Sequence, residues 1–280
     1  MTLQKEDYEE PCCLLDMAPP DAESPRQTVP IGRIIEKLEE HFGRDDYAAA
    51  ERHLAYWRAE AAAGRDRRGL LSLWNETVGL MRKLGRREEA LCAAQEALSL
   101  MRSLDLSDSL TGATTRINAA TALKAFGEAA RSLVLFEEAA AVYEAHLPAG
   151  DGRLGGLYNN WALSLADTGR FAEARARFLQ ALAVMRQVPG GELEQAVTQL
   201  NLADLAAREM GPEEAESEIF ERLEKAAALL DTPSLPHDGY YAFVAEKCAP
   251  GFRFHGWFAQ AQKLEAEARR IYGKSQDPGR

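Results

Sequence analysis

Valine and isoleucine are scarce in this chain of 280 residues: together they number 14, about 5%. Strands favour these β-branched residues, so a large sheet is nearly excluded. Long apolar runs are also missing. No stretch of 18 apolar residues occurs, and no helix is expected to span a membrane. Basic charge is in deficit, with 33 Lys and Arg against 44 Asp and Glu, a net charge of −11. Sequence-independent nucleic-acid binding needs surplus cations to displace counterions, and an anionic membrane surface attracts them too. Neither nucleic acid nor membrane is therefore an expected partner. Glu6, Asp7, Glu9 and Glu10 stand where a secretory signal would carry positive charge, so a cytoplasmic location is expected. Four cysteines (Cys12, Cys13, Cys92, Cys248) are not a disulfide framework. Cys92 falls in a helical pattern and reads as a small buried apolar residue. Metal binding at Cys12 and Cys13 would need two further ligands, and none is near in sequence.

What is present is helical. Residues 1–29 contain Pro11, Pro19, Pro20 and Pro25, followed by Pro30, and lack helical periodicity. They read as a flexible N-terminal tail, with Leu14, Leu15 and Met17 available to dock on the body. From Ile31 the chain is rich in Ala, Leu, Glu and Arg, which are strong helix formers. Apolar residues recur with helical spacing between short turns such as Leu147–Gly156 and Val188–Gly191. Residues 274–280 are polar and read as a frayed C-terminus.

An internal period organises residues 30–273. Gly43, Gly85, Gly127, Gly169 and Gly211 are each 42 residues apart. Other positions travel with them. Small residues follow the glycine at +5 (Ala90, Ser132, Ala174) and at +12 (Ala97, Ala139, Ala181). An aromatic stands at +9 in two copies, Phe136 and Phe178. Val78, Ala120 and Ala162 precede the glycine by seven. A fourth copy keeps Ala203 and Ala215 twelve apart, with Gly211 displaced by one position in its turn. This is the signature of an antiparallel helix pair. Glycine ends the first helix at little conformational cost, and small residues let the axes approach. A single pair cannot bury both faces, so pairs must stack.

The order small–Gly–small–aromatic–small in Ala162, Gly169, Ala174, Phe178 and Ala181 resembles the tetratricopeptide (TPR) repeat family. The 42-residue period, and the asparagine ahead of the small residue in Asn159-Asn160-Trp161-Ala162 and Asn201-Leu202-Ala203, resemble its kinesin light chain-type subclass. The resemblance covers about residues 31–272. It implies an all-α fold, a right-handed α-α superhelix of about six helix pairs. The outer copies depart from the pattern. Gly43 precedes a turn one residue longer, and Arg222 stands where alanine is expected. Pro250 is expected to interrupt the first helix of the last copy at Cys248-Ala249-Pro250-Gly251.

Catalytic patterns are hard to find. There is no G-x-S-x-G, H-E-x-x-H or phosphate-loop string. A G-x-G-x-x-G string at Gly150, Gly152 and Gly155 follows a helix rather than a strand, so it reads as a connector. The five histidines never fall at i, i+4, and Glu88-Glu89, Glu137-Glu138 and Glu213-Glu214 read as helix-start or solvated charges. No catalytic residue, metal or cofactor is expected. His255 lies in the aromatic run Phe252–Phe258. That run reads as a capping helix burying its rings. The alternative is a small-molecule or enzyme site with His237, Asp238, Tyr240 and Tyr241.

In the TPR family the first helix of each pair lines the concave face, and the resemblance puts Asn118, Asn160 and Asn201 at one groove-facing position. A carboxamide both donates and accepts, so it can hold a peptide group without reading its side chain. The same asparagines could instead bond neighbouring repeats and hold the stack. The candidate groove then comprises Asn75, Arg82, Asn118, Thr121, Lys124, Asn159, Asn160, Asn201, Asp204 and Arg208, with Leu163 and Asp167 beside them. The expected function is a non-catalytic scaffold for a protein or peptide partner. A homo-oligomer, or the tail lying in its own groove, stays open as an alternative.

Overall fold

The structure, a computed structural model, describes residues 25–275, with side chains through Gly273. Cys12, Cys13, Leu14, Leu15, Met17 and residues 276–280 lie outside the described residues. Among the described residues there are 12 helices and no strand. In chain order they are α1 (Ile31–Phe42), α2 (Tyr47–Ala63), α3 (Arg67–Lys83), α4 (Arg87–Ser103), α5 (Leu110–Ala125) and α6 (Ala129–His146). The second half holds α7 (Gly152–Asp167), α8 (Phe171–Met185), α9 (Glu192–Met210), α10 (Glu216–Leu230), α11 (Gly239–Phe254) and α12 (Phe258–Ser275). Each odd-numbered helix packs on the even one that follows, so the all-α repeat of six pairs is present. The chain divides into two compact units, one through Ser107 with α1–α4 and one from Asp108 with α5–α12.

The turns follow from the residues at them. Gly85, Gly127, Gly169 and Gly256 close first helices at φ between +69° and +81°, a region that costs an L-residue about 1–2 kcal/mol. In the longer first turn Gly43 is right-handed at φ −64°, and Asp45 takes the left-handed position at φ 53°. Gly211 has φ 92° and ψ 152°, unlike the other four, consistent with its displaced position. Asp46, Asp66, Ser109, Asp151 and Asp238 cap helix starts by accepting backbone N–H groups, each worth about 1 kcal/mol.

In the first unit, Ile34, Leu38, Leu54, Leu71, Leu73 and Met101 are buried. Backbone N–H groups of Arg26 and Gln27 donate to the Gly64 carbonyl at 2.7 and 3.2 Å, and Val29 N–H donates to Asp66 Oδ2 at 2.9 Å. Residues 26–29 thus run along the α2–α3 turn. His53 Nε2 lies 3.1 Å from the Ile34 carbonyl, and burial holds its imidazole below the ordinary range. Cys92 corrects the sequence reading: it is exposed. Ala90, Ala93, Ala94 and Ala97 occupy the buried stripe of α4, and Cys92 falls outside it.

In the second unit the small residues do what their spacing implies. Ala120, Ser132, Ala139, Ala162, Ala174, Ala181, Ala203 and Ala215 are all buried, and Phe136 and Phe178 fill the gaps beside them. Ser132 Oγ donates to Ser164 Oγ across the α6–α7 boundary at 2.8 Å. Gly155 meets α8 so closely that a Cβ would lie 2.6 Å from Met185 Cε, a packing reason for the glycine-rich string. Arg222 reaches Gln199 Oε1 on α9 and Glu218. The last pair joins through α11, which packs on α9 as well as α12. Helix α11 is not interrupted: it runs through Pro250 to Phe254. A proline inside a helix costs about 3 kcal/mol. Phe252, beyond the proline, is fully buried, and burial of such a side chain is worth about 1.5–3 kcal/mol, comparable to the cost of the proline.

Candidate functional site

Helical periodicity brings one stripe of α7, α9 and α11 to a common trough. Residues three, four and seven apart share a face. On α7 these are Gly156, Asn159, Asn160, Leu163, Ala166 and Asp167; on α9, Glu194, Thr198, Asn201, Asp204, Leu205 and Arg208; on α11, Tyr240, Phe243, Lys247, Pro250, Gly251 and Phe254. Two cavities open along this stripe. The larger, about 630 Å³, is lined by Lys124, Leu163, Asp167, Asn201, Asp204, Arg208, Pro250 and Phe254, with buried Phe178 behind. The smaller, about 150 Å³, is lined by Gly156, Asn159, Asn160, Glu194, Thr198, Tyr240, Phe243 and Val244.

The trough's polar groups are tied across helices. Asn201 Nδ2 donates to Asn159 Oδ1 at 2.9 Å, and Thr198 Oγ1 donates to the same oxygen at 3.1 Å. Asn160 Nδ2 instead bonds its own helix, at the Gly156 carbonyl, 2.9 Å away. At the other end Asp167 sits between two cations, with Lys124 Nζ at 3.6 Å and Arg208 Nη1 at 3.1 Å. Arg208 Nη2 also donates to the Ala166 carbonyl at 2.8 Å. His255 Nε2 lies 2.8 Å from Asp204 Oδ1, with the imidazole side chain only 6% exposed. Tyr240 Oη donates to Glu194 Oε1 at 2.5 Å. Burial, then this bond, raises the Tyr240 hydroxyl above the ordinary phenol range, so it stays a donor at neutral pH.

Of the candidate groove residues, Lys124, Asn201, Asp204 and Arg208 meet in the larger cavity, and Asn159 and Asn160 line the smaller. Thr121 and Asn118 on α5 line neither of these two; Thr121 Oγ1 donates back to the Ile117 carbonyl at 2.6 Å. Asn75 and Arg82 belong to α3 in the first unit, where Asn75 Nδ2 donates to the Leu71 carbonyl at 3.2 Å. Sequence reasoning missed the α11 contribution and Glu194 and Thr198. The seven-residue step from Asn201 to Glu194 was a usable signal. The last copy was recognised in the sequence, but the break expected at Pro250 kept its first helix out of the candidate groove.

The C-terminal aromatic run does not gather into one pocket. Phe252 is fully buried, Trp257 packs between Phe220 and Phe252 at 5.5 and 5.9 Å, and Phe254 is 78% exposed. His237 and Tyr241 line a different cavity of about 530 Å³ with Lys263, Glu267 and Arg270. There the His237 ring stacks on Tyr241 at 4.2 Å, and its Nδ1 lies 2.6 Å from Glu267 Oε1. Arg270, then His237, holds the Glu267 carboxyl down at about 2. Among the described residues no group of three or more His, Cys, Asp or Glu is arranged to hold a metal ion, and no helix is long and apolar enough to cross a membrane.

Two family models, each described as a tetratricopeptide repeat, match residues 154–227 and 113–151. No curated protein matches the chain. Among solved structures, one from Podosopora anserina described as kinesin light chain nearly identical TPR-like repeats is 18% identical. The alignment covers 73% of this chain and 95% of that one, with a TM-score of 0.50. A point-substituted form of the same protein is also 18% identical, over 72% and 94% of the two chains, with a TM-score of 0.51. At this identity the likeness shows the fold.

Proposed function

From the premise that the chain belongs to the tetratricopeptide repeat family, with repeats of the kinesin light chain type, we propose that it is a non-catalytic holder of a peptide segment from a protein partner. A protein–protein interaction scaffold is the family's general role; the trough on α7, α9 and α11 is our reading of where it acts. One observation carries this reading: polar side chains of the trough are fixed by bonds between repeats, beside a mostly apolar cavity of ligand size. Binding energy is then not spent on ordering that side of the interface. The Oδ1 atoms of Asn160 and Asn201 make no hydrogen bond among the described residues and can accept peptide N–H groups. The proposal includes a cytoplasmic location and a division into a tail (1–29), a repeat region (30–273) and a C-terminal end (274–280).

Affinity capture from native cytosol on the wild-type chain, compared with a variant carrying alanine at Asn118, Asn160 and Asn201, tests it. Partners retained by the wild type and lost from a folded variant support the reading. An identical partner set on both would remove the amide face from the interface.

A further inference from the structure

The spacing and charge of the trough specify more than a peptide in general. On each of α7, α9 and α11, the residues lining the smaller cavity are centred about eight positions before those lining the larger. At 1.5 Å per residue the cavities are about 12 Å apart along the helices. An extended chain advances about 3.3 Å per residue and sends alternate side chains to one side. Side chains four positions apart in such a chain are separated by about 13 Å and point the same way, so they match the two cavities. A helical ligand fits less well, because its backbone N–H groups are used internally. Asn160 at the smaller cavity and Asn201 at the larger each keep an Oδ1 that makes no hydrogen bond among the described residues and can accept from an extended backbone.

Charge narrows the ligand further. The rim carries Lys124, Arg208 and Lys247 against Asp167, Asp204 and Glu194, a balance of zero. Lys124, Asp167 and Arg208 pair among themselves, while Asp204 and Glu194 are engaged by His255 and Tyr240. A charge on the ligand would have to compete with these pairs, and the rim carries no net formal charge to favour either sign. The floor is apolar, and the cavity sizes differ fourfold, about 630 against 150 Å³.

Resting on the reading of this trough as a peptide site, we propose that it takes an extended, uncharged segment bearing an aromatic and a small aliphatic side chain four positions apart. The aromatic enters the larger cavity and the aliphatic enters the smaller. The probe is a displayed pool of random nonapeptides, selected on the immobilised full chain and on two plugged variants. Gly156 has nothing within 4 Å of an added Cβ, and Gly251 meets only Leu200 at 3.7 Å. Gly156→Leu and Gly251→Leu, at lining positions where a Cβ meets no backbone, are the plugs for the smaller and larger cavity, and melting curves check that each variant stays folded. The wild type is expected to enrich aromatic and aliphatic residues at i and i+4, uncharged between, at least tenfold over other spacings. Gly156→Leu should lose the aliphatic preference alone and Gly251→Leu the aromatic alone. A charged or single-anchor motif abolished by either plug overturns the two-anchor proposal and leaves the peptide trough standing. A motif indifferent to both plugs, or no enrichment, overturns both.

Discussion

Two adjacent asparagines have different tasks because a helix turns 100° per residue. Asn159 points toward α9 and accepts from Asn201 and Thr198, whereas Asn160 bonds back to Gly156. Removing a cross-helix hydrogen bond costs about 0.5–1.5 kcal/mol. Asn201→Ala should therefore lower stability by about 1 kcal/mol in urea unfolding, and Asn160→Ala should leave it within about 0.5 kcal/mol. Both should weaken partner binding, since each removes an open acceptor in the trough. Equal stability losses from the two would contradict the geometry. Glu267 offers a pH test at the same scale. Its carboxyl lies at about 2 against an ordinary 4.5, through Arg270 and then His237. A depressed folded value adds stability that is complete above about pH 4.5 and is lost as pH falls through about 2. The stability gap between wild type and Glu267→Gln should be widest above pH 4.5, shrink on acidification and close near pH 2. These partners are largely exposed, so added salt should narrow it at every pH. A gap that grows on acidification would reverse the assignment.

At the scale of helices, α11 shows where local rules yield to packing. Pro250 has no N–H to offer the carbonyl of Glu246, yet the helix continues four residues beyond it. If burial of Val244, Cys248 and Phe252 is what holds it, Pro250→Ala should stabilise the chain. The recovered hydrogen bond and relieved clash outweigh the lost rigidity of the unfolded chain by about 1–2 kcal/mol. A loss of stability in denaturant titration would mean that the proline itself supports the packing of α11. This helix also marks the limit of what was legible in the sequence. The glycine period and the alanines at Ala120, Ala162 and Ala203 announce the pairs, because close approach of helices permits few other side chains. Lys124, Asn201, Asp204 and Arg208 were named as groove candidates through the family resemblance, and they line one cavity. Phe254, Gly251 and Phe243 were not. They reach the trough because α11 stays helical through Pro250 and docks on α9, whereas the expected break at that proline had removed them from the candidate groove. Cys92 was misplaced for a related reason: one residue of helical phase separates a buried position from an exposed one.

At the scale of the whole molecule, a repeat protein's stability is a sum over neighbours. Three hydrophobic clusters of the second unit are built from its own helices. One cluster joins α5, α6, α7 and α8 through Phe136, Tyr143 and Leu157, another joins α7, α8 and α9 through Phe178 and Leu202, and a third joins α9 to α12 through Leu223, Tyr241 and Phe252. Both trough cavities lie wholly within this unit. A fragment comprising residues 108–280 should therefore fold alone, melt cooperatively and retain the partners or peptides that the full chain selects. Deleting residues 239–280 from it removes α11 and α12, and with them half of the third cluster and one wall of both cavities. That shorter fragment should keep helical circular dichroism over α5–α8, lose cooperativity in α9 and α10, and bind nothing the longer one binds. Hydrogen exchange would show the difference directly: amides of α9 should be among the slowest in 108–280 and should exchange many-fold faster after the deletion. Unchanged protection of α9 would mean that the last pair is an appendage rather than a wall of the trough, and peptide selection would then have to be explained by α7 and α9 alone.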